Sequence, residues 1–182
     1  MLSIDVQSAD ADARATLEDY LRTNPDDSTA LMRLAQLQQR DGDVDGVIKT
    51  DEKILAGNPQ FAPALKQLAL LNTRRSPNDT KTYDLVVKAR LAYPDDSELA
   101  EALGILSYHR ANYPRAVELL QLVSDKQKDD SEALYYLGMT HFQLKQCDKT
   151  KPELERALTM NLSPANATEA KRALAECYES VK

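Results

Sequence analysis

The chain has 182 residues, of which 42% are hydrophobic and 29% charged, with five glycines and no tryptophan. That is the make-up of a folded helical protein and not of a disordered one. A net charge of −6 and a pI near 5.0 argue against general binding to phosphate backbones, which needs clustered Lys and Arg, so no nucleic-acid partner is expected.

No apolar run approaches the roughly 18 residues needed to span a bilayer, so membrane insertion is not expected. The opening MLSIDVQSAD has no basic segment followed by an apolar one. A complete chain of this kind would be cytoplasmic, and one from which an export signal had been removed would be periplasmic.

In chain order, 9–23 is the first predicted helix, with Ala13, Leu17 and Tyr20 on one side and Pro25 beyond its end. Four similar stretches follow: DDSTALMRLA at 26–35, NPQFAPALKQLA at 58–69, DDSELAEALG at 95–104 and DDSEALYYLG at 129–138. They set units starting at Ser28, Ala62, Ser97 and Ser131, with a partial one at Ala165, so the step is 34 or 35 residues. A fixed period of this size marks stacked structural units. Each unit holds two segments of helical periodicity. In the fourth, Leu134, Leu137, Gly138 and His141 share one face, and Leu154, Ala157 and Leu158 another.

Polar turns separate the paired helices, most plainly RDGD at 40–43, where Gly42 can take the left-handed conformation that ends a helix. The second helices stop before Pro59 and Pro94, since proline cannot continue the hydrogen-bond ladder. The Asp and Ser that follow the prolines cap the next first helix. At the end of the chain, Ala170, Ala173, Leu174, Cys177 and Val181 form one stripe behind Pro164, which predicts a half-polar capping helix over 165–182.

These residues resemble the tetratricopeptide repeat. Position 4 of the unit is Leu31, Leu65, Ala100 and Leu134, and positions 7 and 8 are Leu34-Ala35, Leu68-Ala69, Leu103-Gly104 and Leu137-Gly138. Position 27 is Ile54, Ala89, Val123 and Ala157, and Pro59 and Pro94 stand at position 32. The chain departs from the pattern at position 11, with Gln38, Asn72, Ser107 and His141 in place of an aromatic residue. It departs again at position 24, where Asp51 stands among Val86, Leu120 and Leu154. The resemblance implies an all-α fold, a right-handed α-α superhelix or solenoid of helix-turn-helix repeats. It implies a single domain over 1–182, with a capping helix at 9–23, repeats at 28–61, 62–96, 97–130 and 131–164, and a capping helix at 165–182, ten helices in all.

No phosphate-cradling glycine loop, HExxH, CxxC or GxSxG occurs, so neither catalysis, a cofactor nor a metal site is expected. His141 falls at a core position and reads as a packing residue, and His109 reads as a surface one. Cys147 falls at position 17, in the turn of the fourth unit, and Cys177 at position 13 of the capping helix, so adjacent first helices could bring them near each other and a bridge is conceivable. Two partly buried free thiols are the simpler reading, because bonding requires a Cα separation of about 4.4–6.8 Å that sequence cannot supply.

First helices carry a second stripe at positions 5, 9 and 12, which in the tetratricopeptide family faces a concave groove. The resemblance therefore implies a non-catalytic scaffold that holds a peptide or partner protein there. Apolar anchors would meet Leu70, Ile105, Tyr108, Tyr135, Met139 and Phe142, and an acidic part would meet Arg40, Lys66 and Arg74. The same residues could instead stack between neighbouring first helices or meet a second copy in a homodimer. A carboxylate clamp of the chaperone-adaptor type is not expected, because Met32, Gln36, Gln67, Glu98 and Ala102 stand at its positions. The alternative function is a regulatory or structural segment of a larger envelope, secretion or polysaccharide-export assembly.

Overall fold

The computed structural model describes residues 2–179, among which are ten α-helices and no strand. They are α1 (Leu2–Thr23), α2 (Ser28–Arg40), α3 (Val44–Gly57), α4 (Ala62–Arg75), α5 (Thr80–Ala92), α6 (Ser97–His109), α7 (Tyr113–Lys126), α8 (Ser131–Gln143), α9 (Cys147–Leu158) and α10 (Pro164–Glu179). The all-α repeat class read from the sequence is the class observed. The first helix starts at Leu2 and not at residue 9, and Val181, placed on the last helical stripe, lies outside the described residues. The chain divides into two compact units, Met1–Leu71 and Asn72–Lys182, with the boundary inside α4.

Each DDS triplet starts a helix in the same way: its second Asp is the N-cap and its Ser the first helical residue. Asp27 accepts hydrogen bonds from the amides of Thr29 and Ala30, Asp96 from Leu99, and Asp130 from Glu132 and Ala133. These satisfy amides that would otherwise lack a partner at the helix start.

The turn inside a hairpin is set by one left-handed residue. Gly42 (φ 75°), Ala111 (φ 56°) and Lys145 (φ 62°) all stand at position 15 of their repeats. In each case the following amide reaches back five residues: Asp43 to the carbonyl of Gln38, Asn112 to Ser107, and Gln146 to His141, all at 2.9 Å. This is the Schellman closure. Only the first hairpin meets its conformational demand with glycine.

In the first unit α2 packs on α3 and α1 on α2. The core holds Leu31, Ile54 and Ala64, with Leu21, Met32, Leu55 and Phe61 against it. The inward side of α1 differs from the predicted one. Leu21 packs on the core, whereas Ala13 is exposed and Tyr20 is 45% exposed, its hydroxyl donating to Asp27 at 2.9 Å.

In the second unit α6 pairs with α7 and α8 with α9, α7 packs on α8, and α10 lies on both α8 and α9. Leu120 and Leu154 are fully buried, each burial contributing about 1.5–3 kcal/mol. Glycine at position 8 makes room for them. A Cβ on Gly104 would sit 2.7 Å from Cγ of Leu120, and one on Gly138 would sit 2.6 Å from Cδ2 of Leu154.

The departures at position 11 are filled by polar pairs with position 23. Thr50 donates to Gln38 Oε1 at 2.8 Å in the buried interior, and His141 Nδ1 lies 2.7 Å from Glu153 Oε2. Burial raises the carboxyl pKa of Glu153, with the His141 bond acting the other way. Ser107 donates to the carbonyl of Leu103 instead. His141 is thus the packed histidine the pattern predicts.

Asp51 has no such solution. It is fully buried, neither carboxyl oxygen has a partner among the described residues, and burial pushes its pKa up to about 7. The cysteines correct the simpler sequence reading: Cys147 at the start of α9 and Cys177 near the end of α10 form a disulfide, with Cα atoms 5.4 Å apart. Hairpin packing brings them within bonding range, a distance the linear sequence does not reveal.

Candidate protein-interaction site

The first helices α6, α8 and α10 of the second unit share a face rich in rings and carboxylates. At its centre is Tyr136, half-buried on α8, with Tyr108 of α6 edge-on at a centroid distance of 5.4 Å, Tyr135 at 5.0 Å and His109 at 5.7 Å. Tyr113 extends the group, 6.1 Å from Tyr108. Edge-to-face arrangements place the positive rim of one ring on the negative face of the next.

Three glutamates act on the Tyr136 phenol. Its pKa is pushed up to about 12, first by burial and then by Glu132, with Glu169 and Glu101 adding to it. Glu101, half-buried on α6, is pushed up to about 7 by burial, reinforced by Asp130 and Glu132 and opposed by Arg74. Burial raises the Tyr108 phenol while a hydrogen bond with Gln143 opposes it, and burial lowers His109.

The residues expected in a binding stripe divide into groups. Tyr135 and Met139, each 2% exposed, are core residues under α10, and Ile105 is buried too. Their place in the stripe is explained by packing between neighbouring first helices, so they do not line an open surface. Tyr108 and Phe142 are half-buried and keep accessible ring surface, Phe142 lying under the Lys145 ammonium at 5.4 Å. Arg74 is exposed in the last turn of α4. In the first unit Arg40 is exposed at the end of α2, and Lys66 and Leu70 are half-buried on α4.

Tyr136 and Glu169 belong to the face but were not picked out by the stripe. Tyr136 is at position 6, which the 5, 9, 12 spacing passes over, although its letter in DDSEALYYLG is plain. Glu169 is at position 5 of the final helix, which the sequence marks only as a cap. Among the described residues no group of His, Cys, Asp and Glu is placed to hold a metal ion, and no helix is long and apolar enough to cross a membrane.

Serial helical hairpins closed by repeated caps and turns define a helical-repeat protein. The tetratricopeptide repeat family model matches residues 11–60, and the succession of helices continues beyond that stretch. Comparison with the curated proteins gives no match. Among solved structures, one of MamA is similar at 20% identity and TM-score 0.64, over 84% of this chain and 81% of that one. Residues 41 to the end of MamA from Desulfovibrio magneticus RS-1 are similar at 14% identity and TM-score 0.68, over 85% and 86% of the two chains. YrrB, described as a tetratricopeptide-repeat protein with an unusual peptide-binding site, is similar at 17% identity and TM-score 0.69, over 90% and 82%. At these identities the likeness is one of fold.

Proposed function

We propose that this chain is a non-catalytic interaction module whose second unit binds a segment of a partner protein on the face of α6, α8 and α10. The observation that carries the reading is the set of rings left half-open there, Tyr108, Tyr136 and Phe142, beside a half-buried carboxylate, Glu101, to which no hydrogen bond is made among the described residues. Aromatic surface of this kind is enriched where proteins meet. That YrrB, similar in fold, is described as having a peptide-binding site supports the reading. In the first unit the same reading assigns Arg40, Lys66 and Leu70 to a contact surface of their own.

The test is affinity capture from the native cell with wild type and with Tyr108→Ala/Phe142→Ala, after circular dichroism has established that both are folded. Loss of specific partners from the double variant supports the reading, and an unchanged partner set overturns it. Light scattering on the same samples separates a second copy of this chain from a different partner.

A second reading, a segment of an exported envelope or secretion assembly, is favoured by the Cys147–Cys177 bond, because disulfides persist in oxidising compartments. Alkylation of intact cells followed by fractionation tests it: an alkylated, reduced pair in the cytoplasmic fraction rejects export.

A further inference from the structure

We infer that the segment taken by the α6–α8–α10 face is basic, an extended stretch whose arginine or lysine side chains lie against Tyr108 and Tyr136 and meet Glu101, Glu132 and Glu169. The inference rests on the reading of this face as the binding surface and adds the chemistry of its occupant.

Charge complementarity comes first. Five carboxylates act on the two rings and on Glu101, namely Glu101 itself, Glu98, Asp130, Glu132 and Glu169, against two guanidinium groups, Arg74 and Arg172. Asp130 is engaged with the amides at the start of α8, and Glu169 accepts from Tyr135 at 2.7 Å. Glu101 accepts no hydrogen bond among the described residues, so its half-buried carboxylate has lost water without gaining a donor, a cost that an incoming cation removes. An acidic segment would add like charge to this group and is disfavoured.

The rings give the second argument. Elsewhere the chain places its cations on its own aromatic faces: Arg110 Cζ lies 4.4 Å from the Tyr83 centroid, Lys151 Nζ 4.2 Å from Tyr178, and Lys145 Nζ 5.4 Å from Phe142. Among the described residues no cation lies over Tyr108 or Tyr136, although both are half-open and carboxylates act on them, Glu101, Glu132 and Glu169 on Tyr136 and Glu169 on Tyr108. A guanidinium against these rings gains the quadrupole attraction and the carboxylate contacts together.

Isothermal titration with three probes tests the inference: an acetylated, amidated (Ser-Arg)4 peptide and its glutamate and leucine counterparts. The arginine peptide should bind alone, more weakly as salt rises, and Glu101→Gln or Glu132→Gln should each weaken it by about three- to tenfold. The exposed Glu52→Gln on α3 should leave it unchanged, which separates site binding from attraction to a net acidic protein. Equal weakening by Glu52→Gln overturns the inference. Binding of the leucine or glutamate peptide in place of the arginine one overturns the basic occupant while leaving the face as a binding surface. No binding by any of the three, with partners also retained by Tyr108→Ala/Phe142→Ala, overturns both.

Discussion

The hydroxyl of Tyr135 donates to Glu169 at 2.7 Å across a separation of 34 residues, one repeat period. The bond joins position 5 of the fourth repeat to the same position of the closing helix, and it fastens α10 over a tyrosine that is otherwise enclosed. Burial and this bond both raise the Tyr135 pKa, burial more.

The two ends of that bond are unequal. Glu169 belongs to an exposed residue and returns to water if its donor is removed, whereas the Tyr135 hydroxyl has nowhere to go. Tyr135→Phe should therefore cost about 1 kcal/mol, and Glu169→Ala about 1–3 kcal/mol, because it leaves a buried donor unsatisfied. Urea unfolding of the two single variants and the double variant measures both, and the double should cost less than Glu169→Ala alone, because phenylalanine removes the donor that alanine leaves unsatisfied.

Asp51 makes stability fall as pH rises. The folded state holds its proton up to about pH 7, while the unfolded chain has released it near pH 4. The folded state thus has its full advantage below pH 4 and loses it progressively up to pH 7, by about 2–4 kcal/mol. Asp51→Leu restores the apolar residue found at this position in the other repeats, and it should raise the melting temperature at pH 8 and flatten that pH dependence. Asp51→Asn should flatten the dependence without the packing gain. Thermal unfolding of the three proteins between pH 4 and 8 decides the matter, and parallel curves would reject the assignment.

Ala111 and Lys145 hold the left-handed conformation that Gly42 adopts without a Cβ. Replacing either by glycine should stabilise the protein by about 0.5–1 kcal/mol, the strain relieved exceeding the entropy added to the unfolded chain. Gly42→Ala should do the reverse. Equilibrium denaturation checks the signs, which must be opposite.

The Cys147–Cys177 bond closes a separation of 30 residues, and a loop of that size contributes about 3–4 kcal/mol by limiting the unfolded chain. Mass analysis after alkylation without reductant should find no labelled thiol. Cys147→Ser/Cys177→Ser should lower the melting temperature, with the loss of order concentrated in α10. Two labelled thiols in the untreated protein would reject the bond.

Much of the architecture was written in local letters. The period, the Asp caps, the Gly42 turn and the small residues at position 8 each answer a backbone demand that neighbouring residues reveal. What escaped needed a third dimension. The stripe through Tyr135 and Met139 has the same spacing whether it faces a solvent groove or a following helix, and only the seating of α10 decides. Ala111 and Lys145 take a backbone state that their letters do not advertise. The partnership of His141 with Glu153, and of Gln38 with Thr50, joins two helices whose relative rotation no one-dimensional pattern contains.

A buried carboxyl in the first unit and a covalent link in the second make the two units unequal in their resistance to opening. Opening should start in the first unit around α3, where Asp51 weakens the packing, and should be slowest in the second unit around α9 and α10. Amide exchange and limited proteolysis would then wear the protein away from its front, leaving the ring-bearing helices as the last surviving fragment.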